Sequence, residues 1–302
     1  LCNLLDNAAK HGGSGKRIVV ALRQSVDDYI ITIRDFGPGI PEAELPFIKQ
    51  KFYKGSSKAR GSGIGLALVA TRMGHTVTLW SFDENELEDL RLHNQNKLRL
   101  PGVFLPHGIR LTGDLSVAAQ ADMIVMAVPS FAIRSTSRAL AAHLRPDTLV
   151  VNAGKGLEDG TLERFSQVLE EELPTARVVV LSGPSHAEEV ARMVPTLVTV
   201  SSKDIAAARQ VQLALSQDFF RIYLNDDLIG VELGGALKNV IALCAGIVDG
   251  LGMGDNTKAA LMTRGLEEIA RLGKEMGANL RTFAGLSGMG DLMVTCGSMH
   301  SR

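Results

Sequence analysis

The sequence predicts a doubly wound α/β sheet followed by an all-α domain, preceded by a truncated α+β segment. Three observations predict it. Short apolar runs recur at His75–Trp80, Met123–Val128, Thr148–Asn152, Arg177–Leu181 and Thr196–Val200, and helical stretches such as Ser130–His143 and Leu162–Glu172 separate several of them. That alternation is the pattern of a parallel sheet covered on both faces. From about Asp226 the strand signal stops and the chain becomes helical and rich in glycine. Before residue 66, an amphipathic helix and two alternating strands lead into a glycine-rich turn. The expected domains are therefore 1–65, 66–225 and 226–302.

Composition bounds the function only loosely. The 302 residues suffice for two or more cores, and 32 Lys+Arg against 33 Asp+Glu leave a net charge of −1. Such a balance offers nothing to nucleic acid or to an anionic membrane. Cys2, Cys244 and Cys296 are far apart, without a CxxC pair, so neither a zinc site nor a disulfide framework is expected. This usage suits a reducing, cytoplasmic setting. The chain opens at Leu1 without a basic leader and apolar run, and it is expected to continue beyond both of its ends.

In residues 1–11, LCNLLDNAAKH, the leucines fall on one helical face while Asn3, Asn7 and Lys10 align at i, i+4 and i+7 on another. Three aligned polar groups suit a metal and the phosphates it bridges; taken alone they read rather as a solvated amphipathic face. Strands at Ile18–Leu22 and Tyr29–Arg34 run into DFGPGIP, where Asp35 ends a strand and Gly37 and Gly39 permit tight turns. KFYKG and then GSGIGLAL follow, with glycines at 61, 63 and 65. A glycine turn opening a helix leaves bare amide groups at the positive helix end, where phosphates bind.

These four segments, in this order, resemble the ATP-binding domain of sensor histidine kinases over residues 1 to about 69. The resemblance implies ATP with Mg²⁺, the ion held by Asn7, the adenine amine bound by Asp35, and Gly61, Gly63 and Gly65 in the lid. A phosphoacceptor helical hairpin and the strands that complete the ATP sheet have no counterpart here.

The long apolar stretch 228–251 has the length of a membrane span. Glu232, Lys238 and Asn239 fall in its middle, where charge is costly in lipid, so it reads as a buried helix with functional candidates on it. Lys238, between GGAL and NVIAL, is expected either in a poorly hydrated pocket or snorkelling at a helix edge. Lys155 follows a strand in NAGKGLE, with a solvated loop lysine as the plain alternative. Glycines at 234, 235 and 246 weaken a helix unless close backbone approach requires them.

HTVTLW, DMIVMAVPS, NAGKGLE, SGPSHAEEV, LGGALKNVIA, TKAALMTRGLEEIARLG and GLSGMGDLMVTC together resemble bacterial NAD(P)-dependent glycerol-3-phosphate dehydrogenases, from about residue 66 to 302. The resemblance implies a Rossmann-type sheet, NAD or NADP, and reduction of dihydroxyacetone phosphate to sn-glycerol 3-phosphate; a homodimer is one assembly it allows. By that match Lys238 is the proton donor, Lys155 lies beside cofactor and substrate, and Asp291 pairs with Lys238. Asn239 and Thr295 supply hydrogen bonds, Gly183, Ser185 and Ala187 line the cleft, and Ser301 and Arg302 grip phosphate. Gly61 and Gly63 would serve the cofactor.

Where the family opens with an apolar first strand, this chain has SSKAR at 56–60. SFDENE after Trp80 brings no Arg or Lys for a 2′-phosphate. Three readings follow: a dehydrogenase impaired by a lost strand and a shortened end, an ATP-binding fragment, or an inactive chimeric product. The strand Tyr29–Arg34, inserted between His75–Trp80 and Met123–Val128, would rescue the first.

Overall fold

The computed structural model describes residues 18–24, 29–34, 63–97 and 100–298. Two compact units divide the chain, residues 1–58 with 302, and residues 59–301. In the first unit, β1 (Val19–Gln24) and β2 (Tyr29–Arg34) form an antiparallel hairpin in which Val19 faces Arg34 and Gln24 faces Tyr29. Among the described residues, strand β2 thus takes its hydrogen bonds from β1, in a two-stranded sheet of its own.

The second unit begins with α1 (Ile64–Arg72), capped by Gly63 at φ 70°, a left-handed conformation that glycine adopts without a Cβ penalty. Helix α1 touches two separate sheets. Its Ile64 and Leu68 pack with Leu79 and Leu111, while Leu66, Val69 and Ala70 join a core that includes Met123 and Val125. The smaller sheet pairs β3 (Thr78–Trp80) in parallel with β4 (Arg110–Thr112); between them runs α2 (Glu84–His93), whose first turn is capped by Asp83. Trp80 Nε1 donates to the Gly113 carbonyl at 3.0 Å, fastening the ends of the pair.

The larger sheet has five strands in chain order: β5 (Met123–Met126), β6 (Leu149–Asn152), β7 (Arg177–Ser182), β8 (Thr196–Ser201) and β9 (Phe220–Asn225). Among the described residues, β3 pairs only with β4 and β5 only with β6, so the described strands of this unit form two separate sheets. One pairing also departs from a wholly parallel sheet: β7 and β8 run antiparallel, whereas the other pairs of this sheet are parallel. Between them lies α5 (Ala187–Ala191), five residues long. Such a helix spans about 8 Å, too little to carry the chain back along a six-residue strand of about 20 Å, so β8 returns the other way.

Both faces of this sheet are covered. Neighbours on β6 part company: Val150 enters a core with Ile133 and Leu140 of α3 (Ile133–Ala141) and Phe165, Val168 and Leu169 of α4 (Phe165–Glu172). Val151 enters the opposite core, with Ala207, Ala208, Val211 and Leu215 of α6 (Ile205–Leu215). Two-sided burial is why these strands read as continuous apolar runs. Strands β4 and β9 and helices α2 and α6 were not singled out by the sequence pattern. The stretch expected to be helical from Leu162 starts only at Phe165, because Leu162 sits at φ 60°.

Beyond β9 the chain is helical: α7 (Leu228–Gly250), α8 (Gly254–Glu275), α9 (Leu280–Phe283), a π-helical turn at Leu286–Gly290, and α10 (Asp291–Gly297). Helix α7 would cross a bilayer by length and composition. Its buried Glu232 and Lys238 both make ion pairs within the protein, which meets the cost of charge in an apolar helix. Gly234 lets it press on the π-helical turn, since a Cβ there would stand 2.6 Å from the Ser287 carbonyl oxygen. Gly246 borders open space, and nothing in the structure explains it.

Candidate active site

Three pieces of chain far apart in sequence converge on one carboxylate. After β6, the Asn152 side chain accepts from the Gly154 amide at 3.0 Å and donates to its carbonyl at 3.1 Å, tightening the turn that presents Lys155. Lys155 Nζ donates to Asp291 Oδ2 at 2.6 Å and to the carbonyl of Gly183, just past β7, at 2.7 Å. From α7, Lys238 Nζ donates to the other carboxylate oxygen, Oδ1 of Asp291, and to Thr295 Oγ1 at 2.7 Å. Thr295 in turn donates to the Asp291 backbone carbonyl at 2.6 Å, so α10 supplies both partners of Lys238. This is the carboxyl end of the sheet, where ligands of such folds bind.

Burial sets the electrostatics. The Asp291 side chain is 1% exposed and that of Lys238 9%, whereas Lys155 keeps 21%. Burial, and then the neighbouring charge of Lys155, push the Lys238 ammonium down to about 8 from an ordinary 10.5. The cluster of two ammonium groups and one carboxylate carries a net positive charge. It combines an acid that titrates near neutrality with a second cation that reaches partly exposed space, an arrangement able to polarise and protonate an oxygen.

The other expected residues fall as follows. Gly183 is buried at φ 130°, and a Cβ there would meet the Val198 Cα at 3.1 Å. Ser185 donates to the Gly183 carbonyl at 3.2 Å, and Ala187 opens α5, packed beside α1. Asn239 is exposed, next to Lys238. Gly63 presses on Ala127, which follows β5, with 3.0 Å between the Ala127 Cβ and a Cβ built on the glycine. Gly65 lies within α1 against Val190. Gly61, Ser301 and Arg302 lie outside the described residues, as do Asn3, Asn7, Lys10, Asp35, Gly37 and Gly39 of the ATP-type segments.

The structure adds residues that the pattern did not single out. Asn152 braces the Lys155 turn. Ser182 Oγ is buried without a hydrogen-bond partner among the described residues, and a Cβ on Gly235 would stand 2.7 Å from it and 3.5 Å from Lys155 Cδ. A strand-terminal serine before Gly183 was the only hint of it.

Comparison with known proteins agrees with this geometry. The family profile described as NAD-dependent glycerol-3-phosphate dehydrogenase N-terminus matches residues 60–208, and the C-terminus profile of the same family matches 227–302. The glycerol-3-phosphate dehydrogenase (NAD(P)+) of Desulfitobacterium hafniense is 55% identical over 240 residues, covering 80% of this chain and 68% of that protein. The chain belongs to the glycerol-3-phosphate dehydrogenase family.

A relative of the same name from Fusobacterium nucleatum is 51% identical over 245 residues, covering 80% of this chain and 73% of that protein. Among solved structures, the glycerol-3-phosphate dehydrogenase of Coxiella burnetii superposes with a TM-score of 0.77 at 37% identity, over 81% of this chain and 75% of that one. The fold is thus the Rossmann-type sheet with a helical C-terminal domain of this family. Residues 1–96 additionally match the profile described as histidine kinase-, DNA gyrase B-, and HSP90-like ATPase, which overlaps the dehydrogenase profile from residue 60 onwards.

The family implies a nicotinamide dinucleotide, and the described part of the glycine turn fits one. Among the described residues no side-chain hydrogen bond caps α1 at Gly63, and the first amides of a helix opened by a glycine turn suit a pyrophosphate.

Proposed function

We propose that this chain reduces dihydroxyacetone phosphate to sn-glycerol 3-phosphate at the expense of NAD(P)H, with residues 66–225 as the cofactor domain and 226–302 as the substrate domain. The observation that carries the reading is the cluster of Lys155 and Lys238 on the buried Asp291 carboxylate at the carboxyl end of the sheet. A reduced nicotinamide held in the cofactor domain would supply hydride chemistry to the substrate carbonyl. Lys238 gives its proton to the carbonyl oxygen and takes it back in the reverse direction. Lys155, more exposed, stabilises the negative charge developing on that oxygen. Asp291 holds both ammonium groups, and Thr295 orients the Lys238 proton.

Gly183, Ser185 and Asn239 complete the substrate wall in this reading, Ala187, Gly61 and Gly63 serve the cofactor, and Ser301 and Arg302 take the phosphate, a task suited to a planar guanidinium. The test follows oxidation of NADH and NADPH with dihydroxyacetone phosphate for wild type and Lys238→Ala. Equal rates in the two would remove Lys238 from the chemistry.

The ATPase-type match favours a second activity for residues 1–65. In it Asn3, Asn7 and Lys10 hold Mg²⁺ and phosphates, Asp35 the adenine, and Gly37 and Gly39 the turn beneath it. Binding of a fluorescent ATP analogue that Asn7→Ala abolishes supports this reading; no binding rejects it. An inactive chimeric product is the outcome if neither assay responds.

A further inference from the structure

The apolar helix α7 carries a second buried charge outside the Asp291 cluster. The Glu232 carboxylate accepts from Arg164 Nη1 at 2.5 Å, from the Ser166 amide at 2.9 Å, and from Ser166 Oγ. Both side chains are desolvated, Arg164 at 10% exposure and Glu232 at 5%.

Each end of this pair is tied to one of the two site lysines. Glu232 lies six positions before Lys238 on the same helix. Arg164 caps α4 and forms a β-bridge with Leu157, two positions after Lys155. Leu157 in turn packs on a cluster holding Leu233, the residue after Glu232. At Gly235 the helix comes so close that a Cβ would reach Lys155 Cδ at 3.5 Å. A buried ion pair is a poor source of stability, because apolar replacements often do as well. It is a good ruler, because only one separation of α4 and α7 satisfies the guanidinium, the hydroxyl and the amide together.

We propose that the Arg164–Glu232 pair is a positioning device that fixes how far apart the Lys155 and Lys238 ammonium groups sit across Asp291. The idea rests on the roles given to those lysines above, but its readout does not need turnover.

The test uses the full chain with Arg164→Met/Glu232→Leu, which removes both charges and leaves no lone ion buried, and with the near-isosteric Glu232→Gln. The groups facing Lys238 are Lys155, Asp291, Thr295 and the Cys296 thiol. Acetylation of Lys238 by acetic anhydride is followed against pH by peptide mass spectrometry. Wild type titrates at about 8. Once Lys155 is released, like-charge repulsion and desolvation both relax, and the midpoint rises by about one unit.

The melting temperature and NAD(P)H binding stay as in wild type, while kcat falls by up to about 100-fold, as expected for reacting groups displaced by an ångström. An unchanged midpoint in a folded double variant overturns the proposal. If that variant does not fold, an unchanged midpoint in Glu232→Gln overturns it equally. A shifted midpoint in a chain whose wild type consumes no NAD(P)H keeps the positioning role and removes the reductase reading instead.

Discussion

Lys155 and Lys238 donate to opposite oxygens of one carboxylate, Oδ2 and Oδ1 of Asp291, which is itself 1% exposed. Two like charges share a single buried counter-charge, and the chemistry expected of the site follows from that shortage.

Lys238→Ala removes the proposed proton donor while leaving Asp291 paired with Lys155. Turnover is expected to fall by about 10² to 10⁴, the usual contribution of a positioned proton donor. Cofactor binding, read from the fluorescence of reduced nicotinamide, should persist. Steady-state rates beside a binding titration check both halves.

The pH dependence has a definite sign. With Lys238 as the proposed proton donor, the rate of reduction should be level below about 8 and fall above it, while oxidation of glycerol 3-phosphate rises through the same range. Stability moves too. The folded value lies below the unfolded one, so between about 8 and 10.5 the unfolded chain binds more protons at this lysine. The contribution of this group therefore grows as pH rises through that window. Melting curves of wild type and Lys238→Met at the two ends of the window should diverge in favour of wild type at the alkaline end.

Asp291→Asn leaves two ammonium groups without their shared partner. Loss of one member of a buried pair costs about 3–5 kcal/mol, read as a lowered urea midpoint. Lys238 loses the attraction that opposes its burial, so the alkaline limit of any remaining reductase activity should move to lower pH. A limit that stays in place would show that another group titrates.

Two glycines on α7 should respond in opposite ways. In Gly234→Ala the new methyl meets the Ser287 carbonyl oxygen at 2.6 Å and pushes helix and turn apart, costing about 1–3 kcal/mol and displacing Asp291 four residues on. In Gly246→Ala the methyl meets open space, and the gain in helix propensity should stabilise by about 0.5–1 kcal/mol. Thermal unfolding of both variants compares them directly.

Particular elements explain which features could be read in advance. Val150 and Val151 revealed their strand because each faces a covered side of the sheet, which leaves no polar alternation. Strand β4 carries three residues, too few for a periodic signal, and went unread, whereas the equally short β3 was read within the longer run His75–Trp80. The direction of β8 is a matter of pairing rather than pattern, decided by a helix too short to cross over. Glu232 stood out as a charge in an apolar run, but Arg164, its partner 68 positions away, carries no mark in the sequence.

By itself the sequence determined the local chemistry: which runs are strands, where glycine is needed, and that α7 carries charges a core helix must neutralise. It also held enough identity to place the chain in its family. Only the tertiary structure decided which charges meet, because Lys155 and Asp291 are 136 positions apart and Lys238 and Asp291 are 53. Local propensity acts over a turn or two of chain, whereas the loss of hydration that moves a proton affinity arises only when distant segments close around it.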